Sequence, residues 1–183
     1  MVMQPPLWEH GEIKNQPHHP TRTAMNSLSN TLQRCEGYCE LGMWKEAQQE
    51  LSGLPPEARF QPDAMWRELK ILIGQQQWAK AAAHGITTCR QWPDRAPFFL
   101  ETIFALEQAG RIKQALKFLR TAPAHVWDHA EAWYSLACLN ARMTEIEASR
   151  MALGRCFELD ENWKLTAMYE PALAMLAAQD LKA

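Results

Sequence analysis

The stretch Gly110-Arg111-Ile112-Lys113-Gln114-Ala115-Leu116 decides how the rest of the chain is read, because its pattern returns at a fixed interval. The turn residue that opens it has counterparts at Gly42, Gln76 and Thr144, each 34 residues from the next. Two positions later the same interval gives Trp44, Trp78, Ile112 and Ile146, and three further on it gives Ala47, Ala81, Ala115 and Ser149. A period of this length marks an array of supersecondary units, each too small to bury its apolar face alone. Blocks 28–61, 62–95, 96–129 and 130–163 carry the period without insertion or deletion.

Inside each block, apolar residues recur at three- and four-residue spacing on both sides of the turn, which predicts two helices. In the second block Met65, Leu69 and Leu72 form one stripe, while Trp78 and Ala82 begin the other. Trp92-Pro93-Asp94 ends that second helix, since proline cannot continue one. A small residue at Ala47, Ala81 and Ala115 is what a close helix crossing demands. Residues 1–27 carry Pro5, Pro6, Pro17 and Pro20 with almost no apolar period, and are expected to form a flexible extension. Leu7 and Trp8 are its one feature able to dock on the body. Beyond the fourth block, Trp163 to Tyr169 and Glu170 to Leu176 predict a capping helix and tail over 164–183, with Pro171 at a restart. Such a cap keeps the last apolar face out of water.

These residues resemble the tetratricopeptide repeat, a helix–turn–helix unit of 34 residues. The fourth block is the nearest to it, with Ala130-Glu131-Ala132-Trp133, Leu136-Ala137 and the ending Cys156-Phe157-Glu158-Leu159-Asp160-Glu161-Asn162. The third supplies the Gly110-x-Ile112-x-x-Ala115-Leu116 turn. The blocks depart from the family where Cys35, Leu69 and Ile103 replace the small residue expected at the eighth position. The resemblance implies an all-α, right-handed solenoid of tandem repeats closed by a C-terminal capping helix.

It also implies that positions 2, 5, 9 and 12 of each first helix line a concave face. Position 5 holds Leu32, Trp66, Leu100 and Tyr134, position 9 holds Glu36, Lys70, Phe104 and Cys138, and position 12 holds Cys39, Ile73, Glu107 and Ala141. A face this apolar and aromatic fits a groove for a peptide or helix of a partner protein. Leu32, Trp66, Lys70, Ile73, Leu100, Phe104, Glu107, Tyr134 and Cys138 are the expected groove residues. Aromatic side chains would anchor the ligand, and Lys70 and Glu107 would orient it by charge. The competing reading is that these side chains pack on one another or on the extension. The family's clamp for the carboxylate of chaperone tails is absent, because Leu32 and Glu36 stand where it needs Lys and Asn.

Composition removes other classes of function. The chain of 183 residues has 19 Lys and Arg against 21 Asp and Glu, a net charge of −2, so no broad positive field draws nucleic acid. The tryptophans follow the repeat register, which makes Trp44, Trp78, Trp92, Trp127, Trp133 and Trp163 inter-helix packing residues rather than a stacking platform. No apolar run is long enough for a membrane span, and Met1 to Pro6 lacks the features of an export signal, so a cytoplasmic location is expected. Five cysteines without a Cys-x-x-Cys spacing then read as reduced thiols.

No nucleophile elbow, glycine-rich phosphate loop or carboxylate pair appears, and no enzymatic activity or cofactor is expected. His125, Asp128 and His129 form the one compact set of metal-ligating type, at an inter-repeat turn and short of a full ligand set. Cys35 and Cys39 share a helical face but have no further thiolate beside them. The reading is a protein-binding scaffold, as monomer or homodimer. Its alternative is a self-associating subunit, similar to small bacterial secretion chaperones of this class, that pairs through Met143, Met151, Met168 and Met175.

Overall fold

In a computed structural model, which describes residues 22–174 and the side chains from Leu28 onward, the chain is all-helical, with no strand among the described residues. Helices α1 (Arg22–Glu40) and α2 (Trp44–Ser52) form the first pair, followed by the single turn α3 (Pro56–Arg59). The second pair is α4 (Pro62–Gly74) and α5 (Trp78–Gln91), and the third is α6 (Ala96–Gln108) and α7 (Ile112–Arg120). A 3-10 turn at Ala124–Asp128 leads to the fourth pair, α8 (Ala130–Arg142) and α9 (Ile146–Leu159). Then come α10 (Trp163–Met168) and a 3-10 turn at Pro171–Leu173.

The 34-residue interval of the sequence is written into the backbone. The second helices begin at Trp44, Trp78, Ile112 and Ile146, and α4, α6 and α8 begin at Pro62, Ala96 and Ala130. Every first helix ends in the same closure. Gly42, Gln76, Gly110 and Thr144 take positive φ of 69°, 57°, 72° and 62°. Around them the amides of Met43, Gln77, Arg111 and Glu145 donate to the carbonyls of Tyr38, Leu72, Leu106 and Asn140 at 2.8–2.9 Å. This double closure satisfies carbonyls that a helix end otherwise leaves unpaired. Glycine suits it best, yet two of the four positions hold Gln76 and Thr144, whose side chains crowd the left-handed backbone.

The expected small crossing residues lie where the period requires. Ala47, Ala81, Ala115 and Ser149 are fully buried, and so are their eighth-position counterparts Cys35, Leu69, Ile103 and Ala137. In the fourth pair Ser149 Oγ donates to the Ala137 carbonyl at 2.7 Å, and in the first the Cys35 thiol donates to the Ala47 carbonyl at 3.6 Å. Leu69 and Ile103 take that position within the main apolar core, which also holds Ala81 and Ala115. At Gly85 on α5 an added Cβ would stand 2.1 Å from Thr102 Oγ1 on α6, so nothing larger than glycine is accommodated there.

Each helix packs on its chain neighbours, and the first helices also touch one another, α1 with α4, α4 with α6 and α6 with α8. The main apolar core runs through the two middle pairs, around Leu69, Phe98, Ile103, Leu106, Leu119 and Val126. Smaller clusters close the two ends, one around Cys35, Leu51 and Ile71, the other around Ala137, Cys138, Ala152 and Leu173.

Two boundaries differ in detail from the sequence expectation. Helix α1 starts at Arg22, inside the segment expected as an extension, since no proline interrupts the chain from there to Glu40. The rest of that extension, with Leu7 and Trp8, lies outside the described residues. At the other end the expected cap is a short helix plus a 3-10 turn. Pro171 does open the new turn, where Glu170 caps it by accepting from the Ala172 amide at 3.1 Å. Residues 175–183, Met175 among them, lie outside the described residues. No described helix is long and apolar enough to cross a membrane.

Candidate binding face of the first helices

Because α1, α4, α6 and α8 lie side by side, the residues expected on their shared face can be followed from one helix to the next. Over the first three helices this face is open. A cleft of about 530 Å³ between α1 and α4 is lined by Leu28, Ser29, Leu32, Gln33, Glu36, Asp63 and Arg67. A second, of about 360 Å³, lies between α4 and α6 and is lined by Asp63, Trp66, Arg95, Pro97 and Phe98. Asp63 borders both, so the two clefts open side by side along this face, together termed the furrow.

The half-buried Trp66 ring lines the second cleft beside the buried Phe98, and charged side chains lie around it. Trp66 stands edge-on to Phe98 with ring centroids 5.6 Å apart, and the Lys70 ammonium lies 5.6 Å from the Trp66 ring centroid. Lys70 Nζ also pairs with Glu101 Oε1 at 2.7 Å, and Arg67 pairs with Glu36 at 2.7 Å. Arg95 reaches Asp63 at 3.4 Å. These pairs sit near solvent and contribute little to stability. Leu32 and Ile73 are partly buried against neighbouring core clusters, and each offers one edge to solvent.

Toward α8 the arrangement changes. Leu100 is only 6% exposed and Cys138 only 3%, so neither presents surface to a ligand. Phe104 is 39% exposed, its ring edge-on to Trp78 at 5.8 Å. Tyr134 is covered by the chain itself: its ring lies 4.6 Å from that of Trp163, and its hydroxyl donates to Glu170 Oε2 at 3.5 Å. Arg142 lies 3.8 Å from the other Glu170 oxygen. Next to this group the Glu107 carboxyl is desolvated, which pushes its pKa up to about 7, with the like charge of Glu170 adding to the shift and Arg142 opposing it. Its Oε1 is buried and has no hydrogen-bond partner among the described residues.

The nine expected groove residues therefore fall into two sets. Leu32 and Trp66 border the furrow and Lys70, Ile73 and Phe104 are partly or well exposed outside its lining, while Leu100, Glu107, Tyr134 and Cys138 are buried or covered. Asp63, Arg67 and Arg95 line the furrow too, although they stand outside the expected set. Asp63 and Pro97 occupy position 2 of their helices, so the same register points to them. Glu170 carries no such signal, since it lies outside the repeated blocks.

The expected tryptophan packing is present. Trp44 lies so close to Gly74 that an added Cβ would stand 2.4 Å from its ring, Trp92 lies 6.3 Å from Phe98, and Trp127 lies 4.9 Å from Trp133. The thiols are shielded. Burial pushes Cys35, Cys89 and Cys138 up to about 12 and Cys156 up to about 11, and it raises Cys39 as well. His125 lies in the 3-10 turn, its Nε2 buried and without a hydrogen-bond partner among the described residues, whereas Asp128 and His129 are exposed. Among the described residues, no three His, Cys, Asp or Glu side chains converge in a metal-binding arrangement. No protein-family model matches the chain, and no curated protein sequence matches it.

Proposed function

We propose that the chain is a right-handed, tetratricopeptide-like solenoid that binds an extended or helical segment of another protein in the furrow across α1, α4 and α6. The observation that carries this reading is the pair of clefts on either side of Asp63, one of them lined by the half-buried Trp66. A half-buried tryptophan at the centre of a groove is the kind of anchor that dominates binding energy, and a rim of paired charges selects by complementarity. Binding rather than catalysis is also favoured by the thiols, whose raised pKa values leave them protonated and weakly nucleophilic near neutral pH.

The test is site-specific photo-crosslinking in cells. A photoreactive residue at Ser29 or Asp63, both exposed at the furrow, is expected to capture one discrete polypeptide. The same residue at exposed Glu158 serves as the control. Equal yields from furrow and control positions would remove the reading.

A second reading, self-association, has its own observation. Met151, Leu165, Met168 and Tyr169 are 64–78% exposed near the C-terminal end, and flexible methionine surfaces adapt to partners. Sedimentation would return the mass of one chain at all concentrations if this reading fails.

A further inference from the structure

The furrow leaves the second helices unused, and α7, with its neighbour α5, differs in charge from the other two. Helix α7 turns Ala115 and Leu119 into the core and holds Lys113, Lys117 and Arg120 in solvent, with Arg111 just before its start. It carries no acidic residue. Lys80, on the first turn of α5, is exposed as well. Elsewhere on the molecule Arg34, Arg67, Lys70, Arg95 and Arg142 are neutralised by carboxylates. By contrast, Lys80, Arg111, Lys113, Lys117 and Arg120 have no ion-pair partner among the described residues. In a chain whose net charge is −2, this is a concentrated and uncompensated positive field.

A cleft lies at the N-terminal end of that row. It measures about 570 Å³ and is bordered by Trp78, Ala79, Lys80, Ala109 and Arg111. Two cations thus flank an opening whose floor is apolar, with the half-buried Trp78 ring fixed against Phe104. That combination suits a ligand with several negative charges and one apolar side chain.

We propose that α7 and this cleft dock an acidic segment of a partner protein, its carboxylates meeting Arg111, Lys113 and Lys117 and one apolar residue entering beside Trp78. A polynucleotide or a membrane fits less well. From Lys113 to Arg120 the row spans only about 10 Å at the rise of an α-helix. The second helix before it, α5, carries no carboxylate, but the outer two do, Glu46 and Glu50 on α2 and Glu147 and Glu158 on α9. A long polyanion or an anionic surface would run past the row into those carboxylates, while a short acidic segment would not. This site is independent of the furrow and stands or falls without it.

The experiment measures fluorescence anisotropy with the full chain and a short labelled peptide rich in glutamate and containing one leucine. The expected result is binding about tenfold tighter than to the glutamine version of the peptide, lost progressively with added salt. Replacing the leucine by serine is expected to weaken binding about threefold, and Ala79→Gln, which narrows the cleft, to abolish that difference. Lys113→Glu with Lys117→Glu is expected to reduce affinity about tenfold with far-UV circular dichroism unchanged, because both side chains are solvent-exposed. Should that double variant misfold, Lys113→Gln with Lys117→Gln takes its place. Equal affinity for the glutamine peptide, or unchanged affinity in the folded variant, overturns the proposal. Tighter binding to a single-stranded oligonucleotide or to phosphatidylserine vesicles than to the peptide overturns the choice of partner.

Discussion

The two ends of the first-helix face are built from the same register but finished differently. At the α1–α4–α6 end, Leu32 and Trp66 border an open furrow. At the α8 end the corresponding positions lie under Trp163, Glu170 and Leu173, and a desolvated carboxyl stands beside them. Position in a repeated unit specifies which way a side chain points. Whether solvent or protein meets it depends on the segment that comes after the unit in the chain.

The strongest way to break this contrast is to loosen the cover. Leu173 is 5% exposed in the cluster with Ala137, Cys138 and Ala152, so Leu173→Ala is expected to cost about 2–3 kcal/mol in urea unfolding. Leu32→Ala, at the open end, is expected to cost clearly less, because Leu32 is only partly buried. Equal costs would mean that the two ends are not finished differently.

The next effect is electrostatic. Burial holds the Glu107 pKa near 7 in the folded chain, above its ordinary value of 4.5, so between those values the folded state binds more protons than the unfolded one. Stability is therefore full below about pH 4.5 on this account and falls as pH rises through 7. Glu107→Gln is expected to flatten that decline and to stabilise the chain at pH 8 by on the order of 1–3 kcal/mol. A variant whose unfolding free energy keeps the wild-type pH profile would assign the slope to other groups.

A smaller gain is expected from Asn140. It is 2% exposed with its Oδ1 unpartnered, and the positions 34 and 68 residues earlier hold the buried Leu106 and Leu72. Asn140→Leu is expected to raise stability by about 1 kcal/mol, read as a shift in denaturation midpoint. The smallest pair of effects tests the turns: Thr144→Gly is expected to stabilise by about 0.5–1 kcal/mol and Gly42→Ala to destabilise by about as much. If both shifted the midpoint the same way, the left-handed backbone at these positions would not govern their cost.

Much of this architecture was legible because it rests on spacing. Ala47, Ala81, Ala115 and Ser149 announce helix crossings, and all four are fully buried. Gly42 and Gly110 announce turns, whereas Gln76 and Thr144 are recognisable as turn residues only because the interval falls on them. The candidate face was legible in direction but not in exposure. Leu100 and Cys138 lie on it yet are buried, since the neighbouring helices close over them. Nothing local marks Glu170 as the partner of Tyr134 and Arg142, because that contact is made by a segment outside the period. Helix α1 begins earlier than its apolar pattern suggests, in a stretch where no proline stops it.

The double closure at the end of each first helix has a consequence for the way the chain comes apart and together. Its bonds join residues only five apart, and each helix leans chiefly on those next to it in sequence. Little chain entropy is lost in forming any one contact, a topology that folds fast and does not require distant segments to find one another. Opening can begin at either end and stop at the next turn, leaving the Phe98 and Ile103 core protected. The middle pairs should then hold their amide protons longest in hydrogen exchange, with α1 and the segment after α9 releasing theirs first.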